Sequence, residues 1–120
     1  MRAYDVDRSR GGMWPWLGQR VTAVLVLVTI AVHLILTHYI AIGGLSFADI
    51  GQRLGTTTVL VNDIVLLLAV VFHGLNGVRT VVLDYGLAGP AGRFVLAVAL
   101  WAAGLAAATY GVWALWIWVG

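Results

Sequence analysis

The chain has 120 residues, of which 62% are hydrophobic and only 10% are charged, with a formal net charge of +2. This balance excludes an ordinary water-soluble domain, because the apolar runs are far longer than a small core uses. The chain contains no cysteine, which excludes disulfides, thiolate zinc sites and cysteine-ligated iron–sulfur clusters on this polypeptide. Any metal must therefore be held by histidine or arrive inside a cofactor.

Three apolar runs are each long enough to cross a bilayer, which takes about 20 residues of helix. They cover 16–42, 57–83 and 93–119. The first run is longer than the apolar region of a signal peptide, so we expect it to be retained as a span. The sequence predicts an all-α fold with three transmembrane helices in a single domain, 1–120. Because no water-soluble segment is visible, we expect the chain to work with a catalytic partner.

Arginine placement predicts the orientation, since arginines are enriched on the cytoplasmic side of membrane proteins. Those that precede the first span or flank the turn between the second and third are Arg2, Arg8, Arg10, Arg20, Arg79 and Arg93. The connection 43–56 has Asp49 balanced by Arg53, and we expect it on the outer side. The prediction is a multi-pass protein of the bacterial cytoplasmic membrane, with a cytoplasmic N-terminus and an external C-terminus.

Tryptophans are expected at the headgroup level on both sides. Trp14 and Trp16 would form the inner belt, and Trp113, Trp116 and Trp118 the outer one. Their anchoring function needs no further explanation.

The third span is rich in small residues, which allow helices to approach closely in lipid. They are Ala97, Ala99, Ala102, Ala103, Gly104, Ala106, Ala107 and Ala108. We expect a packing helix with little chemistry of its own. The segment 86–92, which contains Pro90, is expected to be a simple turn.

One stretch, 71–86, places ionisable residues in an otherwise apolar sequence: His73, Arg79, Asp84 and Tyr85. Ionisable groups at membrane depth are costly and indicate a functional site by default. At about 100° per residue, His73, Gly77, Thr80 and Asp84 lie along one stripe of the helix. This face is expected to carry the site.

Residue counting places the histidines at different depths. His33 lies roughly 20 Å beyond Arg20, whereas His73 lies only about 9 Å from Arg79 on a helix that returns to the same side. The two are not expected to bind one iron, but each could hold one face of a different b-type haem. His38 lies about 140° round the helix from His33 and is not expected to be a ligand.

Simpler interpretations remain open for these residues. A single intramembrane histidine can form a hydrogen bond between helices or line a proton path. Asp84 and Tyr85 could be an interfacial anchor, and Arg79 an ordinary cytoplasmic arginine.

The pattern His73-Gly-x-Asn-Gly77-x-Arg79 followed by Asp84-Tyr85 resembles the second helix of the small hydrophobic membrane anchor of succinate dehydrogenase (respiratory complex II), which is of the cytochrome b type. The segment Arg20-Val21-Thr22-Ala23 is similar to the family's Arg-x-Thr/Ser-small pattern. His33 and Asp63 also match positions found in the family. The resemblance covers nearly the full length of the chain.

The resemblance implies a cofactor-binding anchor that packs with a second, companion anchor protein. His73 would be an axial ligand of haem b, the companion anchor would supply the other, and Arg20 and Arg79 would neutralise the propionates. Gly77 would give the macrocycle a flat surface. Asp84 and Tyr85 would lie beside the quinone, where the iron–sulfur subunit binds, while succinate is oxidised on the flavoprotein subunit.

His33 matches the two-haem members of the family, which use residues of the first helix for a second haem. One or two haems, and ubiquinone or menaquinone, stay open. Two alternatives also stay open: an anchor of a quinol:fumarate reductase, and a small proton channel or transporter that uses His73, Asp84 and Asp63.

Overall fold

The computed structural model describes residues 12–39 and 46–119, and every element within these ranges is helical. In chain order the elements are α1 (Met13–Leu34, continued by a π-helical turn, Ile35–Tyr39), α2 (Phe47–Leu54), α3 (Thr57–Asp84) and α4 (Pro90–Trp116, followed by a 3-10 turn, Ile117–Val119). The predicted all-α fold is confirmed.

Three helices are long and apolar enough to cross a membrane. Their mean hydropathies are 2.2 for Met13–His38, 2.1 for Thr57–Asp84 and 1.8 for Pro90–Trp116. The three predicted spans are therefore confirmed, with different ends. The first begins at Met13 rather than at residue 16, and its predicted end at residue 42 lies outside the described residues.

The turn between α3 and α4 is shorter than the sequence predicted, because α4 begins at Pro90. Gly89 is the N-cap, and proline follows at the first helical position. That position suits proline, since its missing N–H would have no partner inside the helix.

The C-terminal end of α3 is closed by Gly86. Its φ of 66° is in the left-handed region that glycine adopts without strain. The Gly86 N–H donates to the carbonyl of Leu83, and the Leu87 N–H donates to that of Val82, both at 3.1 Å. This pair of bonds satisfies the last carbonyls of the helix. Asp84 is consequently the last residue of α3 and Tyr85 its C-cap, and both are exposed.

Helix α2 was not predicted, because the segment 43–56 was interpreted as a plain connection. The backbone N–H of Asp49 donates to the side chain of Ser46, which caps the helix. The Ser46 hydroxyl in turn donates to the Asp49 carboxylate, and this hydrogen bond lowers the pKa of Asp49. The spacing Ser-x-x-Asp is an N-terminal capping signal that an apolarity argument alone does not register.

The bundle is layered in the order α1, α3, α4, with α1 and α3 antiparallel. A Cβ atom added to Gly104 would lie 2.8 Å from Leu75 Cδ1, and one added to Gly111 would lie 2.6 Å from Leu67 Cδ2. These two glycines are therefore where α4 approaches α3 closely. Most of the alanines that suggested a packing helix lie on the exposed face of α4.

Very little of the apolar surface is buried within the chain. Among the described hydrophobic residues only Val59, Leu60 and Ala69 are buried, all on α3, and no described residue of α4 is buried. The elongated bundle measures 68 × 23 × 19 Å. Its helices therefore present most of their apolar side chains outward, as a bundle surrounded by lipid does.

Candidate functional site

Polar side chains between α1 and α3 form two separate clusters. We define the His73 layer as Gln19, Thr22, His73 and Asn76, and the His33 layer as Thr29, His33, Asn62 and Asp63. Among the described residues, no buried side-chain nitrogen or oxygen lacks a hydrogen-bond partner. The two layers are therefore satisfied networks within an apolar bundle, as a membrane interior requires.

In the His73 layer, both ring nitrogens of His73 contact α1. Gln19 Nε2 lies 3.3 Å from His73 Nε2 and also donates to the backbone carbonyl of His73 at 3.2 Å. Thr22 Oγ1 lies 3.3 Å from His73 Nδ1. Asn76 Nδ2 donates to Gln19 Oε1 at 2.8 Å and to the Pro15 carbonyl at 3.1 Å.

One tautomer of His73 is compatible with all of these contacts together. The Thr22 hydroxyl donates its hydrogen to a backbone carbonyl, that of Gly18 at 2.7 Å or that of Gln19 at 3.3 Å, so it accepts from Nδ1. The Gln19 amide nitrogen can only donate, so Nε2 must accept. This hydrogen-bond network fits the tautomer of His73 that carries the proton on Nδ1 and a lone pair on Nε2.

Glycines allow the two helices to approach at this layer. A Cβ atom added to Gly18 would lie 2.8 Å from the ring carbons Cε1 and Cζ of Phe72. One added to Gly77 would lie 3.4 Å from Gln19 Nε2. Small residues at these positions therefore bring Gln19 and Thr22 within hydrogen-bond distance of His73.

In the His33 layer, His33 Nδ1 lies 2.8 Å from Asp63 Oδ1, and Asp63 is only 7% exposed. Asn62 Nδ2 donates to the same carboxylate oxygen and to the Thr29 carbonyl, each at 3.1 Å. A carboxylate buried in a membrane protein requires such a partner, which explains why Asp63 and His33 lie opposite each other. Among the described residues, none forms a hydrogen bond with the second ring nitrogen, His33 Nε2.

His38 does not join this layer. Its ring centroid is 6.4 Å from that of His33, its side chain is exposed, and it lies within the π-helical turn that follows α1. Arg53, on α2, contacts this turn, since its Nη1 donates to the Thr37 carbonyl at 3.4 Å. Among the described residues, no three His, Cys, Asp or Glu side chains gather into a metal site.

The two histidines are at different levels of the bundle, as the residue counting predicts. His73 lies opposite Gln19 and Thr22, whereas His33 lies opposite Asp63. Asp63 and His73 are ten residues apart on the same helix, which corresponds to about 15 Å.

The remaining predicted site residues lie outside both layers. Asp84 is roughly 16 Å along α3 from His73, and Asp84 and Tyr85 are exposed, Tyr85 to 78%. Arg79 is half-buried, and the guanidinium of Arg20 lies 4.3 Å over the ring of Trp16.

Sequence reasoning missed Gln19 and Asn62, and it assigned no function to Thr22 or Asn76. The available signal was the presence of amide and hydroxyl side chains inside predicted spans, where they form hydrogen bonds between helices. That signal does not reveal partners, because the facing side of the neighbouring helix is decided by packing.

Comparisons with known proteins agree with this architecture. The family model of the succinate dehydrogenase/fumarate reductase transmembrane subunit matches residues 3–110. The succinate dehydrogenase hydrophobic membrane anchor subunit of Archaeoglobus fulgidus is 33% identical over 69 residues, which are 58% of this chain and 59% of that protein. The succinate dehydrogenase 2 membrane subunit SdhC of Mycobacterium tuberculosis is 26% identical over 83 residues, 69% of this chain and 61% of that protein.

These matches cover about three fifths of the length of the two curated relatives. No solved structure matches the chain.

Proposed function

Since this chain belongs to the family of succinate dehydrogenase/fumarate reductase transmembrane subunits, we propose that it anchors a succinate:quinone oxidoreductase in the membrane and binds haem b. Its three apolar helices make it a multi-pass membrane protein. In this proposal its N-terminus lies on the cytoplasmic side, with the iron–sulfur and flavoprotein subunits. Oxidation of the dicarboxylate belongs to those subunits.

The state of His73 carries the proposal. A haem iron binds a neutral imidazole nitrogen, and a ligating histidine usually donates its other N–H to a nearby acceptor. His73 has this arrangement, with Nδ1–H directed to Thr22 and the Nε2 lone pair directed away from it. The position beside Nε2 is held by Gln19, which would have to leave it for iron to bind. His73 would therefore be the residue of this chain that holds the haem iron, through Nε2.

Haem b, when bound, would supply one-electron transfer between the iron–sulfur subunit and quinone. The second axial ligand would come from the companion anchor. Arg79, half-buried six residues beyond His73, and Arg20 would balance the propionate charges. Gly77 would keep the adjoining helix surface free of side-chain atoms.

His33 would fit a second haem, because one of its ring nitrogens also faces a hydrogen-bond acceptor. Its Nδ1 faces the Asp63 carboxylate at 2.8 Å, so Nε2 is the nitrogen that would bind iron. The roughly 15 Å of helix between the two layers separates this position from that of His73. The proposal therefore accommodates two haems, one at each layer.

Quinone would bind at the exposed end of α3. The Tyr85 hydroxyl would donate a hydrogen bond to a quinone carbonyl, and Asp84 would support proton delivery to it. Both side chains are exposed in this chain. The rest of that pocket would come from the companion anchor and the iron–sulfur subunit.

The opposite direction of flux, as in a quinol:fumarate reductase, uses the same machinery, and the matching family covers both enzymes. The proton-channel alternative is not favoured by any contact among the described residues. His73 is bonded to an amide and a hydroxyl, Asp63 is bonded to His33 and Asn62, and Asp84 is exposed at the helix end.

The test is the haem content of the complex purified through this subunit, measured in a reduced-minus-oxidised spectrum with flavin assayed alongside. We expect His73→Ala to lose the haem at its layer, because no other described residue of this chain supplies an imidazole at that level. His38→Ala is the matched control, since His38 is exposed and lies outside both layers.

Unchanged haem per flavin in His73→Ala would contradict the ligand assignment. A wild-type preparation with neither haem nor flavin would contradict the anchor function itself.

A further inference from the structure

We propose that Thr22 is a positioning residue for haem b: its hydroxyl accepts the Nδ1 proton of His73, which selects Nε2 as the iron-binding nitrogen and tunes the iron's midpoint potential. This inference rests on the proposed function, because it concerns the residue that supports the ligand. Neither the sequence pattern nor the family match assigns such a function to Thr22.

The hydrogen-bond acceptors around Thr22 favour one arrangement. Its single hydroxyl hydrogen has two neighbours that can only accept, the carbonyl of Gly18 at 2.7 Å and that of Gln19 at 3.3 Å. The oxygen lone pairs are then directed toward His73 Nδ1, 3.3 Å away on α3. Thr22 is half-buried, so water does not readily replace it.

Thr22 and Gln19 contact opposite sides of the same ring and would behave differently on haem binding. Gln19 contacts Nε2, the ligating nitrogen, and must leave it. Thr22 contacts Nδ1, which points away from the iron, so its hydrogen bond persists in the loaded protein. It is therefore Thr22, and not Gln19, that can influence the bound iron.

The direction of the effect follows from the charge on the iron. An acceptor on Nδ1–H makes Nε2 a stronger electron donor, and this favours iron(III) more than iron(II). Without that acceptor the iron(III) form binds less tightly and the midpoint potential rises. Supporting hydrogen bonds of this kind typically change metal affinity by about 10–100-fold. A tenfold difference between the two oxidation states corresponds to about 59 mV for one electron.

The experiment compares four variants in the purified complex by redox titration of the haem spectrum and by haem per flavin. Thr22→Val removes the acceptor with little change of shape, Thr22→Ser keeps it, and Thr22→Cys replaces it with a weaker sulfur acceptor. Thr109→Val is the matched control. The Thr109 hydroxyl also donates to the carbonyls three and four residues back, at 3.1 and 2.8 Å, but on α4 and away from His73.

We expect Thr22→Val to raise the midpoint potential by about 59 mV, equivalent to a tenfold loss of relative iron(III) affinity. Thr22→Cys should shift it in the same direction by less, and Thr22→Ser and Thr109→Val should match the wild type. If Thr22→Val prevents assembly, the comparison of Thr22→Cys with Thr22→Ser decides the matter.

The inference would be overturned if the Thr22→Cys complex had the wild-type midpoint potential. It would also be overturned if Thr22→Ser shifted the midpoint potential as much as Thr22→Val does. Either result would leave the haem assignment intact. Absence of haem from the wild-type complex would instead overturn the proposed function.

Discussion

On the side of α3 that faces α1, hydrogen bonds join the helices at two levels, whereas on the side that faces α4 leucine side chains contact Gly104 and Gly111. The first interface depends on particular pairs of polar groups, and sliding one helix along the other would leave several of them unsatisfied in a membrane. The second depends on shape alone. Both predicted haem ligands, His33 and His73, lie at the first interface.

The largest effect is expected from removal of the imidazole in the His33 layer. In His33→Ala the Asp63 carboxylate, 7% exposed, would keep only the Asn62 amide as its hydrogen-bond partner among the described residues. Removing a hydrogen-bond partner from a buried carboxylate costs roughly 3 kcal/mol, because the lost bond is not replaced by one to water. His73→Ala should cost only about 1 kcal/mol, because Gln19 and Thr22 are neutral.

The measurement is the free energy of unfolding of the isolated chain in detergent. The double variant His33→Ala/Asp63→Ala should recover part of the loss, as a coupled pair requires. Equal losses of unfolding free energy in His33→Ala and His73→Ala would show that the two layers contribute equally to stability.

An intermediate effect is expected at the apolar interface. Gly111→Val would push side-chain atoms into Leu67, whose Cδ2 would already lie 2.6 Å from an added Cβ. Such overpacking should lower the free energy of unfolding by about 2 kcal/mol. Gly74→Val is the matched control on α3, because nothing described lies within 4 Å of an added Cβ there. Similar stability of the two variants would place the α3–α4 contact elsewhere.

The smallest effect is expected at the end of α3, beyond both interfaces. Tyr85→Phe should reduce quinone reduction about fivefold, which corresponds to one lost hydrogen bond of about 1 kcal/mol. Succinate-dependent reduction of an artificial dye should not change. Tyr110→Phe, an exposed tyrosine against the Trp113 ring on α4, is the control. Equal loss of both activities in Tyr85→Phe would indicate an assembly defect.

The helical fold could be predicted from hydropathy, since a stretch of about 20 apolar residues has few stable alternatives to a helix in a bilayer. The separate levels of His33 and His73 could also be predicted, because the rise per residue is constant along a helix. The ends of the helices were harder to predict from the sequence. Pro90 and Ser46 start helices through local capping geometry, which a count of apolar residues does not include.

The hydrogen-bond partners of the site residues could not be predicted from the sequence, and Asp63 shows why. Helical periodicity places Asp63 at an angle on its own helix but does not say which residue of α1 lies opposite. The channel alternative grouped Asp63 with His73 and Asp84, whereas the structure pairs it with His33.

By itself, then, the sequence determined how many helices are long and apolar enough to span a membrane and at which level along each helix its polar groups lie. These quantities depend only on composition and on distance along one helix. The tertiary structure alone decided that Gln19 and Thr22 share the two nitrogens of His73 and that Asp63 belongs to His33. Those pairings depend on the rotation and register of α1 against α3, which the close approach at Gly18 and Gly77 sets.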